Sequence, residues 1–443
     1  MGKAATDSIL VTKDQSSEML SEEGKKTLLA AFFGFTVDMI DVYLPIIALA
    51  PAMVYFQPAD LSPTVATTLY FLVFVLSLIG RPIGSMIFGY YGDKIGRRKT
   101  TLVSILGIAV STLLIALLPG YAAWGLGGII TMAILRLFAG IFMGGEYTSA
   151  NPLAMEYAPK QKRGLFGGFI NAGFPAGTII VSVVTLATLK LFPAGDATSA
   201  YAVWGWRIPF IIGALLSFAL FIYSYYKVPE SEVWKESKKA DNPLKDLFSK
   251  ANLAQLGQVF LVMSGVWFAT NAIISSLPGM LKMLKVDSTL STNAQLITNI
   301  VMFFLFIFAG AISQKIGRKA VLILFGILGF TVSPILYYYL LSSGYQHAGS
   351  LILLVVLVNS LVMPVFGVLT SYITERFHTG VRASGYGVGY SLALIIPALT
   401  PFIMLGFQRF MPYVYTPIVI LVIGGLFITI GALIGPETKE VDL

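Results

Sequence analysis

Cysteine is absent from this sequence, and histidine occurs only at His347 and His378. Without cysteine the chain can form neither a disulfide framework nor a thiolate metal site, and two isolated histidines argue against a histidine-based metal site. The sequence also lacks a phosphate-binding loop and any other donor-binding motif that a membrane enzyme would need. We therefore predict no metal, no cofactor and no enzymatic activity.

Charged residues are scarce as well. They occupy 12% of the 443 positions, whereas 56% are hydrophobic, and the mean hydropathy is +0.81. A soluble globular domain of this composition would precipitate, because too much apolar surface would face water. The net charge of +8 could indicate a nucleic-acid partner, but the basic residues concentrate in loops between the hydrophobic segments. We predict an all-α membrane protein that contacts lipid and does not bind nucleic acid.

Twelve hydrophobic segments are long enough to cross a bilayer, which takes about 20 apolar residues in a helix. They cover residues 28–56, 64–91, 100–119, 125–155, 165–190, 205–227, 253–281, 290–312, 320–341, 350–373, 384–407 and 412–435. The sequence therefore predicts twelve transmembrane helices.

The basic residues predict how these helices are oriented. Lys and Arg concentrate in the loops after the even-numbered segments, at 94–99, 160–163, 227–250, 315–319 and 376–382. Because an excess of Lys and Arg in short loops marks the cytoplasmic side, we expect these loops and both termini to be cytoplasmic. Residues 1–24 lack the apolar core of a cleavable signal, so we expect the first helix to direct insertion.

A short basic turn occurs twice and indicates an internal duplication. It reads Gly-Asp-Lys-Ile-Gly-Arg-Arg-Lys at 92–99 and Ser-Gln-Lys-Ile-Gly-Arg-Lys at 313–319, each time after the second helix of a half. Two parallel repeats of this kind are typical of alternating-access transporters. We predict the following segments: a cytoplasmic N-terminal segment 1–27, a six-helix bundle 28–227, a charged cytoplasmic linker 228–252, a second six-helix bundle 253–435, and a cytoplasmic tail 436–443.

The basic turn at 92–99 resembles the loop signature of the major facilitator superfamily, and further motifs resemble its metabolite:proton symporter branch. That branch includes osmolyte, citrate, oxoglutarate and shikimate carriers. The motifs are Arg81-Pro82-Ile83-Gly84, Gly144-Gly145-Glu146-Tyr147, Glu156-Tyr157-Ala158-Pro159, Trp206-Arg207-Ile208-Pro209-Phe210, and Val381-Arg382 with Ser384-Gly385. The resemblance implies a monomer in a prokaryotic cytoplasmic membrane that moves a small molecule together with protons. Pro229-Glu230-Ser231 is instead similar to sugar porters and sialate-type carriers.

Two acidic residues of the first helix, Asp38 and Asp41, are the strongest candidates for chemistry. An ionised Asp near the bilayer centre costs about 2.5–3.5 kcal/mol on insertion scales, so such residues normally face a bundle interior or a watery cavity. At a spacing of three they share a helix face. Mutual repulsion and burial both favour the neutral form, so one of them could carry a proton. The alternative is a structural pairing or a local cap.

Arg136 in the fourth helix is a matching counter-charge. Helix four should run antiparallel to helix one, and Arg136 lies about 15 Å of helical rise from its outer end, a depth close to that of Asp38. Arg136 could pair with Asp38 or Asp41, or bind an anionic substrate. In the resembling families an acid on helix one and an arginine on helix four often form a relay. A purely structural ion pair remains the alternative.

Two further charges, Glu146 and Arg81, are predicted nearer the cytoplasm. Glu146 lies about 15 Å of rise beyond Arg136 on the same helix, and Arg81 lies near the inner end of helix two. We expect them to pair as an inner gate or a stabilising clamp. Gly140 and Gly144 continue the spacing of four from Arg136 and should let two helices approach closely.

The family resemblance also implies a latch between the two halves. It would join Asp93 and Arg97 to the segment around Glu156 and Arg163. In the second basic turn Gln314 stands where the first has Asp93, so we expect no charge-paired latch there.

The second half has no acidic residue deep within a predicted span, so proton handling is expected in the first half. Polar residues in apolar helices are the remaining candidates to bind substrate, although amides can equally bridge neighbouring helices. These candidates are Asn171, Trp267, Asn271, Asn299 and Asn359.

Repeats and paired intramembrane charges favour a secondary transporter over a channel or an enzyme. The central Arg favours a small organic acid or zwitterion carried together with protons. If Asp38 and Asp41 occupy Arg136 fully, a sugar or polyol symporter or a facilitative uniporter is the alternative. A sensor or binding protein on the same scaffold would bind a ligand without accumulating it.

Overall fold

The computed structural model describes residues 20–58, 63–237, 240–342 and 347–443. Within these ranges every regular element is helical and no strand occurs, so the predicted all-α class is confirmed. Residues 1–19 of the predicted N-terminal segment and residues 238–239 of the predicted linker lie outside the described residues.

Twelve long helices follow one another in the described ranges. Eleven of them are long and apolar enough to cross a membrane, judged by length and composition, and the remaining helix, α2, has 33 residues. We label them α1 Glu22–Phe56, α2 Pro63–Ile95, α3 Arg97–Ala116, α4 Gly127–Tyr157, α5 Lys160–Leu191, α6 Tyr201–Lys227, α7 Lys250–Met283, α8 Thr289–Ile316, α9 Arg318–Leu341, α10 Ala348–Arg376, α11 Thr379–Phe407 and α12 Tyr413–Ile434.

The helices extend further at the basic turns than hydropathy predicted. The second predicted span stops at residue 91, but α2 continues to Ile95, and α11 begins at Thr379 rather than at 384. Charged residues end a hydropathy window, whereas the backbone hydrogen bonds of a helix do not depend on side-chain polarity. The predicted spans therefore mark the apolar part of each helix, and the helix itself projects beyond it.

In the structure, each basic turn has a single non-helical residue, a glycine, between two long helices. Gly96 has φ +119° and Gly317 has φ +104°, backbone conformations that residues with a Cβ rarely adopt. Both turns lie at the same end of the molecule as the contacts described below, and we call this the basic-turn end.

A carboxylate caps the helix that follows each turn. Glu230 accepts hydrogen bonds from the backbone N–H groups of Arg97 and Arg98, and Glu437 accepts them from those of Arg318 and Lys319. An anion is favourable there because the first N–H groups of a helix have no partner within it. The helices that follow the two basic turns are thus capped in the same way.

Helices α1 and α7 both change conformation partway along. In α1 a π-helical turn spans Leu44–Leu49 and contains Pro45, and in α7 a π-helical turn spans Asn271–Ser275 just before Pro278. Proline has no N–H to donate, so the regular hydrogen-bond pattern cannot continue through it. The first helix of each predicted half is therefore interrupted at a comparable place.

Helix α1 packs against α4, α5 and α6, while α12 packs against α7 and α9. Contacts between the first six helices and the last six run through α2 with α11, and through α5 with α8 and α10. The predicted close approach of small residues occurs between α2 and α4, since a Cβ on Gly80 would lie 2.8 Å from the backbone N of Ile141. Large apolar side chains such as Phe304 and Phe402 face outward, as expected for helices that contact lipid.

Candidate functional site

Asp41 and Arg136 form a fully buried ion pair between α1 and α4. Arg136 Nη1 lies 2.7 Å from Asp41 Oδ2, and Thr112 Oγ1 of α3 donates to Asp41 Oδ1 at 2.6 Å. Arg136 Nε and Nη2 are buried and have no hydrogen-bond partner within the described ranges. One edge of the guanidinium is therefore unused, and its geometry suits a carboxylate.

Asp38 faces a different partner. Its carboxyl group lies within hydrogen-bonding range of the carboxyl group of Glu146 on α4. Gly34, one turn before Asp38, provides the space, because a Cβ on Gly34 would lie only 2.8 Å from Glu146 Cδ. All four carboxyl oxygens are buried, and none accepts a hydrogen bond from an ordinary donor in the part of the chain described.

The predicted pairing of Arg81 with Glu146 at the inner helix ends is wrong. Arg81 lies about 21 Å of helical rise before the end of α2 at Ile95, because α2 projects beyond its apolar part. Its guanidinium faces Asp38 and contacts Met143 Sδ at 3.9 Å, and no ion pair joins it to Glu146 among the described residues. Five buried ionisable residues thus lie together, and we call them the central cluster: Asp38, Asp41, Arg81, Arg136 and Glu146.

A polar and aromatic seam from α11 borders the central cluster. Tyr147 of α4 hydrogen-bonds to Ser391, and Asn151 Nδ2 donates to Tyr386 Oη at 2.7 Å. The ring of Tyr390 lies 4.9 Å from that of Tyr147, and both tyrosines interact electrostatically with the central cluster. The seam therefore places residues of the last six helices next to the acidic groups of the first six.

Two of the predicted substrate residues belong to this seam. Trp267 Nε1 donates to the backbone oxygen of Tyr390 at 3.0 Å, and Asn171 Nδ2 donates to Thr370 Oγ1 at 2.9 Å across α5 and α10. The other amide atom, Asn171 Oδ1, is buried and accepts no hydrogen bond from the described residues. Asn171 therefore bridges helices while keeping one acceptor available.

The other three candidates lie elsewhere in the second half. Asn271 Nδ2 donates to Pro397 O at 2.7 Å, which ties the π-helical turn of α7 to α11. Asn299 and Asn359 come together in one small cavity, although neither contacts the central cluster. The lining of that cavity includes Phe174, Ile273, Gln295, Asn299, Phe306 and Asn359.

A first latch closes the basic-turn end between α2 and α11. Arg97 bonds to Asp93 at 3.1 Å and to Glu156 at 3.2 Å, and Arg382 bonds to Glu156 at 2.6 Å. Asp93 also accepts the backbone N–H groups of residues 383 and 384, at 3.0 and 2.8 Å. These groups are buried, so the first latch joins the two predicted halves through charge-assisted bonds.

A second latch occupies the corresponding place between α5 and α8. Its buried charge pair joins Arg318 Nη2 to Glu375 Oε1 at 3.2 Å within the second half, while the contact across the halves is made by the neutral Gln314. Gln314 Oε1 accepts from Arg318 at 2.8 Å and from the backbone N–H of Gly164 at 3.1 Å. Gln314 thus accepts a backbone N–H as Asp93 does, while Glu375 supplies the charge.

Arg163 does not join the first latch, contrary to the sequence expectation. It donates to the backbone oxygen of Val441 at 2.6 Å and interacts electrostatically with Glu375. Because Arg163 begins the α5 segment just as Arg382 begins that of α11, it belongs with the second latch. The duplication places corresponding residues in different latches.

Sequence reasoning missed Glu375 and Thr112. A signal for Glu375 was present, because Glu375 precedes Arg382 by the same seven positions that separate Glu156 from Arg163. Comparing the two halves residue by residue would have found it. Thr112 carries no such signal, since threonines in apolar helices are common.

A bundle of membrane-crossing helices with buried opposite charges at its centre, and with latches at one end, defines a membrane transporter of the duplicated type. The family model of the Major Facilitator Superfamily matches residues 28–401, and the chain belongs to that superfamily. The predicted transporter class and family are thereby confirmed, and the protein is a multi-pass membrane protein.

Similar proteins are transporters as well. The chain is 29% identical to the inner membrane metabolite transport protein YhjE of Escherichia coli strain K12, over 85% of this chain and 86% of that protein. It is 28% identical to the proline/betaine transporter of the same strain, over 86% and 77%. The structure of the proton:xylose symporter XylE with bound 6-bromo-6-deoxy-D-glucose matches with a TM-score of 0.75 at 20% identity, covering 96% of this chain and 99% of that one. This structural likeness concerns the fold.

Proposed function

We propose that this transporter couples the movement of a small organic anion or zwitterion to protons by alternating access. The relatives named for metabolites and for proline/betaine support a small organic solute, and the symporter with the same fold supports proton coupling. The proposal contains no enzymatic step. A bacterial inner membrane is the proposed location, as for the E. coli relative.

The observation that carries the proposal is the ion pair of Asp41 with Arg136. The pair is buried, so losing either charge leaves the other uncompensated, at a cost of about 3–5 kcal/mol. Arg136 nevertheless keeps its Nε and Nη2 atoms without partners in the described chain. A group held this way can exchange one carboxylate for another with little change in total charge.

This exchange links the proton to the substrate. Protonation of Asp41 removes its charge and frees Arg136 to bind a substrate carboxylate, and deprotonation restores the ion pair and releases the substrate. Each event favours the other by the same free energy, which is the requirement for symport. Asp38 lies one turn away on the same face of α1 and takes part as a second acid.

Substrate contacts are proposed for Trp267, for Asn171 in the first half and for the three asparagines of the second half. Trp267 and Asn171 lie in the seam beside the central cluster and can contact a solute held by Arg136. Asn299 and Asn359 share a cavity, and Asn271 lies at the π-helical turn of α7, where a change of helix conformation alters access.

Two six-helix bundles, 28–227 and 253–435, form the proposed moving units, with the linker 228–252 between them. We place both termini and the basic-turn end on the cytoplasmic side, as the basic loops indicate. The two latches then form the cytoplasmic gate, closed in this structure. Arg81 and Glu146, assigned to a gate by sequence, are placed instead with the proton-handling groups of the central cluster. A monomer suffices, since all these residues are in one chain.

The test is a substrate screen in proteoliposomes with an imposed pH gradient. Purified protein is reconstituted, candidate amino acids, betaines, carboxylates and sugars are offered, and uptake by the wild type is compared with that by Arg136→Ala. We expect the wild type to accumulate at least one anion or zwitterion, and Arg136→Ala to lose the pH-driven component. Arg409→Ala, which removes an exposed arginine, is the matched control and should behave like the wild type.

Three outcomes would contradict the proposal. Accumulation that ignores the pH gradient would indicate facilitated transport, and full activity of Arg136→Ala would remove Arg136 from the mechanism. Binding without accumulation would indicate a sensor.

A further inference from the structure

The exchange described above does not account for the contact between Asp38 and Glu146. Both carboxyl groups are buried, and neither accepts a hydrogen bond from any ordinary donor in the described ranges. Burying an ionised carboxylate without donors or a counter-ion is very costly, and such a group normally neutralises instead. Two adjacent carboxyls in this condition require an explanation of their own.

The geometry gives the explanation. The two carboxyl groups lie within hydrogen-bonding range of each other, yet two ionised carboxylates have no donor and repel. The contact becomes a hydrogen bond only when one of them carries a proton. Gly34 shows that the contact is accommodated by the fold, because any side chain there would displace the Glu146 carboxyl.

The charges of the central cluster agree with one bound proton. Its three carboxyl groups, if all were ionised, would carry three negative charges against the two positive charges of Arg81 and Arg136. One proton makes the cluster neutral. Asp41 accepts hydrogen bonds from both Arg136 and Thr112, whereas Asp38 and Glu146 have no such donor in the described ranges, so we assign the proton to the pair.

The other titratable groups that face this pair come from four helices. From α2 it is Arg81, which interacts with Asp38. From α1 it is Asp41, and from α4 it is Tyr147, whose hydroxyl bonds to Ser391. From α11 these are Tyr386 and Tyr390. The tyrosines are neutral at physiological pH. Among the residues that the structure describes, only Arg81 supplies positive charge beside the pair, and it does not bond directly to Glu146.

We propose that Asp38 and Glu146 share a single proton and that this carboxyl pair is the site where the transported proton is loaded. The inference rests on the proposed proton coupling and deepens it, since Asp41 lies one helical turn from Asp38 and receives the proton from the pair. Arg136 is released only at that second step. The site therefore separates proton binding from substrate release.

The experiment detects the shared proton directly and needs no substrate. Infrared spectroscopy of the full-length protein in lipid follows the C=O stretching band of protonated carboxyl groups between about pH 5 and about pH 9, for the wild type, Asp38→Asn, Glu146→Gln and the double variant. We expect the wild type to show a band at neutral pH that titrates as one proton. The double variant should lack it. Each single variant should titrate about one pH unit or more towards acid, because an amide neighbour no longer repels the remaining carboxylate.

Glu375→Gln is the matched control. Glu375 is a buried carboxylate with an arginine partner, so removing it should leave the band unchanged. The inference is overturned if the wild type lacks the band at neutral pH, if the band survives in the double variant, if the single variants titrate like the wild type, or if Glu375→Gln abolishes it. Replacing potassium by sodium in the buffer should also leave the band unchanged, and a loss of the band in sodium would assign the pair to a metal ion instead.

The outcomes separate this inference from the proposed function. A band with the expected behaviour but no pH-driven uptake in the screen would leave the proton site standing and remove the symport. Uptake driven by the pH gradient without the band would leave the symport standing and remove the proton site. Size-exclusion profiles identify any variant that fails to fold, and a wild type without the band overturns the inference even if all variants fail.

Discussion

Replacing Glu156 by Gln should open the basic-turn end of the molecule. Glu156 is buried and accepts hydrogen bonds from both Arg97 and Arg382, at 3.2 and 2.6 Å. The substitution keeps the size of the side chain but removes its charge. The two guanidinium groups are then left near each other without their shared anion.

The size of the effect follows from these two bonds. Both guanidinium groups donate to the same oxygen, Glu156 Oε1, so the amide keeps both contacts but loses the charge. A hydrogen bond to a charged group contributes about 1.5–3 kcal/mol and one between neutral groups about 0.5–1.5 kcal/mol, so the closed form should lose about 2–3 kcal/mol over the two bonds. In the open form the same side chains are hydrated, and the substitution changes little there. The open population should therefore rise about 30- to 150-fold.

A single introduced cysteine reports this population. The chain has no native cysteine, and Ser384 is buried beside Asp93, to which its backbone N–H donates, so a cysteine in the Ser384→Cys variant is shielded while this end is closed. The rate of labelling by a membrane-impermeant maleimide is measured in vesicles that expose the basic-turn end. Adding Glu156→Gln should raise this rate in proportion to the open population.

Glu232→Gln serves as the matched control. Glu232 pairs with Lys235 on the exposed surface, and such pairs contribute little, so the labelling rate should not change. An unchanged rate in the Glu156 variant, or an equal rise in the Glu232 variant, would refute the reasoning.

Two further predictions concern stability, both measured by thermal unfolding of purified protein in detergent. Gly34→Ala should destabilise the protein by about 1–3 kcal/mol, because its Cβ meets the Glu146 carboxyl. The control is Gly257→Ala, where a Cβ meets nothing within 4 Å, and it should be neutral or stabilising. Equal behaviour of the two variants would contradict the packing argument. Thr112→Val should lower the free energy of unfolding by about 1–3 kcal/mol, because Asp41 loses its hydroxyl donor. Thr112→Ser keeps the hydroxyl and should retain most of the stability. A Val variant as stable as the wild type would show that the hydroxyl contributes nothing.

The sequence was enough to predict the helices and one of the two contacts made by the aspartates of α1. Hydropathy located all twelve spans because a helix in lipid must be apolar over a fixed length. Helical rise placed Arg136 near the depth of Asp38 and Asp41, and the structure joins Arg136 to Asp41. Rise alone could not choose between the two acids, since that choice depends on how the helices are rotated.

The unknown rotation of the helices also explains why the pairing of Glu146 with Arg81 was wrong. Depth along the axis put Glu146 with Arg81, but the contact depends on which face each helix turns toward its neighbour. The missed indication was the spacing of Gly34, Asp38 and Asp41 along one face of α1, with the glycine leaving room for Glu146. The latches were harder still, because the expectation compared only the basic turns and overlooked Glu375 at the end of α10.

The two latches differ in strength, and this difference sets an order of events. On the α2–α11 side a carboxylate, Asp93, accepts two backbone N–H groups, whereas on the α5–α8 side a neutral amide, Gln314, accepts one. Bonds to an ionised acceptor are roughly twice as strong as neutral ones. If the two bundles separate at this end as proposed, we expect the α5–α8 contact to break first and the opening to start at that edge.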